Sequence, residues 1–187
     1  MTAPQVPQTA GAAATPVASP PLVPPTAPEP PIDWRAATIP RWTVVPLRIY
    51  LGSGFMLETI GRVGHWSRWH DEVQGFLNGY LPYAASFYQP FMSGVALRHI
   101  DLFATLVFLG EAVVAVSLML GVATRAGAAI GIVLSLNYLL SKGNTPWSLN
   151  NDTAFIVGML VVLLTRAGRT AGADAWFARR WPRGWIW

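Results

Sequence analysis

The chain of 187 residues contains no cysteine. Disulfides, iron–sulfur clusters, thiolate metal sites and c-type haem attachment are thereby excluded within it. Charge is scarce as well: charged residues make up 12%, about half the share usual in a soluble domain. Lys142 is the sole lysine among 13 basic residues, and the others are arginine. The sequence carries no phosphate-binding glycine loop, nucleophile elbow, zinc-ligand cluster or dinucleotide fingerprint. The first basic residue is Arg35, and residues 1–40 hold no long apolar stretch, so no cleavable signal sequence is expected.

What is present is apolar. Hydrophobic residues make up 52% and the mean hydropathy is +0.38. This predicts an all-α integral membrane protein with one compact membrane domain. The formal charge is +4, with the arginines dispersed around apolar segments. Such a distribution reads as a topology signal, and no nucleic-acid partner is expected.

Four spans are predicted at about residues 42–63, 100–121, 126–141 and 152–165, since about 20 helical residues cross a hydrocarbon core of ~30 Å. Pro46 lies in the first turn of the first span, where proline is tolerated. In the third, Gly127 and Gly131 should let a neighbouring helix approach closely. Asn151 or Asp152 is the expected N-cap of the fourth. Between the first two spans, residues 64–99 hold Trp66, Trp69, Phe76, Tyr80, Tyr83, Phe87, Tyr88 and Phe91. This predicts short helical pieces at the membrane interface, where aromatic rings prefer to sit, with a broken re-entrant hairpin as the alternative.

Residues 1–40 are a low-complexity Pro/Ala/Thr tail. Alone it lacks the apolar content to fold; as polyproline it suits a partner groove, with Pro20, Pro21, Pro24 and Pro25 at its centre. Residues 167–187 are basic and tryptophan-rich, including Trp181, Trp185 and Trp187, and read as an interfacial anchor or partner surface. Four spans place both ends on one side. That side carries Arg35, Arg41, Arg125, Arg166, Arg169, Arg179, Arg180 and Arg183, against Arg62, Arg68, Arg98 and Lys142 on the other. Both termini are expected in the cytoplasm of a bacterial inner membrane.

Glu111 is the residue with most chemistry in it. It lies in the apolar run 101–120, where a carboxylate costs roughly 2.5–3.5 kcal/mol on insertion scales. It must be paired, protonated or turned to a polar interior. Arg48 is its expected structural partner; the functional alternative gives Glu111 a role in proton transfer with Arg48 tuning it. Arg125 and Asp152 are further polar groups near span ends. Glu58 and Arg62 are four residues apart, so a local ion pair is expected. His65 and His70 are weak candidates for a metal, because five residues do not bring two side chains to one helical face and no carboxylate trio completes a ligand set.

The order of certain motifs resembles the DoxX family of small four-helix bacterial membrane proteins. The matching residues are Leu47-Arg48, Leu51-Gly52, Phe55 and Gly61-Arg62; then Glu111, Leu120-Gly121 and Thr124-Arg125; then Asn151-Asp152, Ala167-Gly168-Arg169 and Asp174-Ala175. They extend over about 42–180. The Pro-rich tail, the aromatic connection and the terminal tryptophans depart from the family pattern and look like added partner surfaces. The resemblance implies a place in membrane oxidoreductase systems. No cofactor is assigned to this chain itself; quinone, lipid or neighbouring pigments are the candidate groups. The favoured expectation is a non-catalytic accessory subunit that contacts other membrane subunits in a respiratory or photosynthetic complex. The alternatives are a quinone-reactive oxidoreductase subunit using Glu111, and a small-solute transporter.

Overall fold

A computed structural model describes residues 41–145 and 147–181. The described chain is all-helical, with no strand. A 3₁₀ turn, Arg41–Thr43, leads into α1 (Val44–Val63). The connection that follows holds α2 (Trp66–Tyr80), the short α3 (Gln89–Phe91) and a π-helical turn, Met92–Ala96. Then come α4 (Ile100–Leu120), α5 (Thr124–Ser141) and α6 (Asn151–Thr165). A 3₁₀ turn, Ala167–Arg169, and the short α7 (Asp174–Arg180) close the described chain.

The helices α1, α4, α5 and α6 form a closed four-helix bundle of up-down-up-down order, each packed against two of the others. Leu51, Phe55, Val114, Leu118, Met159 and Val162 fill its centre. Small residues set the close contacts. A Cβ on Gly127 would come within 2.2 Å of the Ser117 hydroxyl, and one on Gly131 within 3.0 Å of Met159. Both glycines therefore admit a neighbouring helix, as their spacing predicts.

Turn chemistry moves some expected boundaries. The α4–α5 turn is Gly121–Ala123, with Gly121 at φ 67° and Ala123 at φ 48°; Thr124 already opens α5. The cap of α6 is neither Asn151 nor Asp152. Asn150 takes that place, its side-chain oxygen accepting from Thr153 N at 2.9 Å. An extended residue is needed at the cap, and Asn150 has φ −132° and ψ 170° while Asn151 is already helical.

The aromatic connection is more ordered than separate interfacial pieces. It builds a second core of Trp69, Val73, Leu77, Ala84, Met92 and Ala96 against Ala104 and Val107 of α4. Trp69 Nε1 donates to the Ala104 carbonyl at 3.0 Å, and Ala85 N donates to the Leu140 carbonyl at 3.1 Å. These bonds hold the connection across one end of the bundle.

At the other end, α7 is tied to the bundle by Asp174. Its carboxylate accepts from Ala123 N at 2.6 Å and Thr124 N at 2.9 Å, so it caps α5 from a distant part of the chain. Arg48 Nη1 donates to the Ala167 carbonyl at 3.4 Å, and Asp174 N donates to the Gly121 carbonyl at 2.8 Å.

One described helix, Ile100–Leu120, is both long and apolar enough to cross a membrane; Asn151–Thr165 is apolar but shorter. The tail with Pro20, Pro21, Pro24 and Pro25, and the residues Trp185 and Trp187, lie outside the described residues. Trp181 is exposed and meets the rings of Trp176 and Phe177.

Candidate functional site

The last turns of α1 place Glu58 and Arg62 on one face. Arg62 Nη2 donates to Glu58 Oε2 at 3.2 Å, the pair expected from their spacing. Arg62 Nη1 also pairs with Glu111 Oε2, reaching across from α1 to α4. Glu111 is 2% exposed. Its other oxygen accepts the Tyr138 hydroxyl at 2.7 Å. The Arg62 guanidinium lies 4.4 Å from the Trp69 ring centroid, a cation–π contact. One arginine thus meets two carboxylates and an aromatic face, while α5 contributes a phenol to the same carboxylate.

The expected partnership of Glu111 with Arg48 is not what forms. Arg48 is 3% exposed at the far end of α1, facing Gly121, Ala167 and Gly172. Fourteen residues separate it from Arg62, about 21 Å along a helix. Sequence spacing predicts a local pair of Arg62 with Glu58 at the end of the first span; its reach across to Glu111 is the addition.

This network borders a cavity of about 470 Å³. Its walls include the rings of Phe55, Trp69, Phe76, Phe103, Tyr138 and Phe155, with Glu58, Arg62, Glu111, Ser135 and Asn137 as polar groups. A second ion pair stands at the α5–α6 end of the cavity. Lys142 Nζ donates to Asp152 Oδ2 at 2.9 Å and to Oδ1 at 3.2 Å, and lies 5.7 Å from the Tyr138 ring. Asp152 is therefore engaged at the cavity, whereas Arg125 is half-buried in the first turn of α5, at the opposite end of that helix.

The histidines point elsewhere. His65 Nδ1 is 3.1 Å from the Gly61 carbonyl, and His70 packs edge-on against Trp66. Among the described residues no three His, Asp or Glu side chains converge as a metal site would require. In the second core, burial pushes the Tyr88 phenol up to about 12, with the Ser141 side chain a smaller opposing influence.

Tyr138, Trp69 and Lys142 are the participants that pattern did not single out. Tyr138 carried a signal: with Asn137 it is an adjacent polar pair in the second half of a largely apolar helix. Trp69 and Lys142 carried none beyond a membrane-interface preference.

Comparison of the chain with protein-family models, with curated proteins and with solved structures gives no match.

Proposed function

We propose that the protein is a bacterial membrane protein that binds a quinone-type ring in the Arg62–Glu111–Tyr138 cavity and serves there as the quinone-reactive subunit of an electron-transfer system. The observation that carries the proposal is the buried ion pair itself, open to a cavity walled by aromatic rings. A buried charge pair is weak evidence for stability. An intramembrane ionisable group set against a cavity is a functional site by default. The volume lies within the usual range for small-molecule sites, which are mostly apolar with a few placed polar groups.

The cavity residues fit a quinone. Its flat ring suits a cavity lined by aromatic side chains, and its carbonyl oxygens need donors. A guanidinium has five N–H donors, of which Glu58 and Glu111 engage only a part. Reduction of a quinone to a quinol takes up two protons and two electrons. Glu111, at the cavity wall and oriented by the Tyr138 hydroxyl, would take up a proton from water and pass it to a ring oxygen, once for each of the two protons. The two electrons would come from a partner redox subunit.

Membrane embedding is part of the same proposal. The outward faces of α1, α4, α5 and α6 carry exposed Leu57, Ile60, Leu109, Val113, Val133, Leu136, Leu160 and Leu164. A soluble protein rarely exposes so continuous an apolar surface. Of the three charges of α1, Arg48 is buried and Arg62 turns inward to Glu111, while Glu58 is exposed near the helix end. The motif order shared with the DoxX family supports the same assignment. With the arginine excess at the α7 end, that end is proposed to face the cytoplasm.

A structural accessory role is favoured by one observation, the exposed Trp176–Phe177–Trp181 ring cluster. It is compatible with quinone binding. The deciding experiment titrates the detergent-purified protein with a benzoquinone and follows intrinsic fluorescence. Saturable binding that weakens in Tyr138→Phe is expected. A wild-type protein that shows no saturable binding would sink the proposal, and so would membranes whose quinone reduction is unchanged by Glu111→Gln.

A further inference from the structure

We propose that the ligand of this cavity carries a long hydrocarbon tail, which leaves the ring site through a second, apolar groove between α4 and the Gln89–Ala96 segment. The proposal rests on the quinone-type assignment above and adds the route by which such a molecule reaches the lipid.

The groove has a volume of about 330 Å³. Its walls are Phe91, Val95, Leu102, Leu106 and Leu134, with His99 as the polar group at one end. Phe103, Val107 and Asn137 line both this groove and the ring cavity. The two spaces therefore abut across three shared side chains. Asn137 stands at the border, with the Arg62–Glu111–Tyr138 network on one side and hydrocarbon on the other. Such a sequence of polar cavity, border and apolar groove matches a molecule with a polar ring head and an apolar tail.

Local structure explains why the groove lies there. Leu102, Phe103 and Leu106 fall at three- and four-residue spacing and so share one face of α4. The opposite wall comes from the π-turn, where Leu97 N donates to the Met92 carbonyl at 2.9 Å and five residues complete a turn. π-Turns frequently occur at functional sites. The outer rim is exposed: Val95 49%, Leu102 61% and Leu106 57%. In a bilayer that rim opens to acyl chains, so the tail would pass from protein to lipid without meeting water.

The test compares a tailless benzoquinone with its decyl derivative, on the full chain in detergent. Leu106→Trp and Val95→Trp fill the groove from exposed positions outside the ring site. Wild type is expected to bind the decyl compound more tightly, and each variant to weaken that binding about tenfold, the value of one or two buried methylenes. Affinity for the tailless ring should stay within about twofold, which also reports that the variants fold. Decyl binding unchanged by both substitutions, with tailless binding intact, overturns the tail route and leaves the ring site standing. A wild type that binds neither compound overturns the ring site itself, and the tail route with it.

Discussion

Glu111 and Arg62 hold each other in the bundle interior, and each would be costly there alone. Removing one partner of a buried ion pair typically destabilises by about 3–5 kcal/mol, whereas replacing both with apolar residues of similar volume is often neutral or better. Arg62→Leu should therefore lower the unfolding free energy by roughly 3 kcal/mol or more, reduced to the extent that Glu111 takes up a proton. The double variant Arg62→Leu/Glu111→Leu should recover most of that loss. A cycle of thermal unfolding measurements in detergent gives the coupling. Additive losses in the double variant would mean that the pair does not form. That Glu111 is buried was legible from its position in an apolar run; its partner was not. Arg48 and Arg62 both belong to α1 and face inward, so only axial height distinguishes them. Arg48 lies against Gly121, since a Cβ there would come within 2.7 Å of its Nη1. Because α1 and α4 run antiparallel, ten residues back along α4 from Gly121 to Glu111 corresponds to about ten residues forward from Arg48 along α1. That height is the Glu58–Arg62 turn.

Gly121 itself gives a sharper residue-level test. It adopts φ 67°, and an added Cβ would also meet Gly172 Cα at 2.7 Å. A left-handed conformation costs a residue with a Cβ roughly 1–2 kcal/mol, and overpacking adds about 1–3 kcal/mol. Gly121→Ala should thus destabilise by about 2–5 kcal/mol. Gly61, within α1, has nothing within 4 Å of an added Cβ. Gly61→Ala should be neutral or stabilising by up to ~1 kcal/mol. Equal effects at the two positions, by thermal unfolding, would remove the packing explanation.

At the scale of elements, the long helices were legible and their ends less so. Apolar length places α1, α4, α5 and α6 within one or two residues, but a cap depends on which side chain meets a backbone amide. For α6 the Asn150–Thr153 bond decides it. For α5 the cap comes from Asp174, fifty residues away in the chain, a relation that no local pattern contains. Asp174 is 1% exposed and satisfies two amides of the α5 start. Losing an N-cap carboxylate costs about 1–2 kcal/mol. Asp174→Ala should cost at least that, and it should release α7 before the bundle melts. Hydrogen exchange is the direct measurement: amides of Ala123, Thr124 and residues 174–180 should lose protection while those of α4 keep it. Unchanged exchange in α7 would show that its other contacts suffice. The motif residues divide along the same lines. Arg48, Gly121, Thr124, Gly168 and Asp174 form this lock, whereas Arg62 and Glu111 form the cavity at the opposite end.

For the whole molecule the question is which solvent the outer surface meets. Leu109 lies near the middle of α4 and is 52% exposed; Val133 of α5 is 65% exposed. In water, an arginine at either place would be nearly neutral, since surface substitutions away from special features usually change stability by less than ~0.5 kcal/mol. In a bilayer, the same arginine sits near the hydrocarbon midplane and costs roughly 2.5–3.5 kcal/mol on insertion scales. The two environments therefore predict opposite outcomes for one substitution. Leu109→Arg and Val133→Arg should reduce the fraction of protein recovered in the membrane, and the double variant should reduce it further. Glu58→Gln is the matched control, because its side chain is also exposed, at 67%, but lies near the end of α1 beside Arg62; it should leave membrane recovery unchanged. α6 sharpens the argument. Its 15 residues span about 22 Å, short of a ~30 Å hydrocarbon core. A span that short thins the bilayer locally or carries its flanking polar groups inward. One end of α6 carries Asp152, paired with Lys142 at the cavity wall. Extending α6 by one turn after Asn151 would therefore move Asp152 away from Lys142, while Leu109→Arg alters only an exposed apolar face. Full membrane recovery of both arginine variants would place this surface in water or against a protein partner, and the bilayer assignment would fall with it.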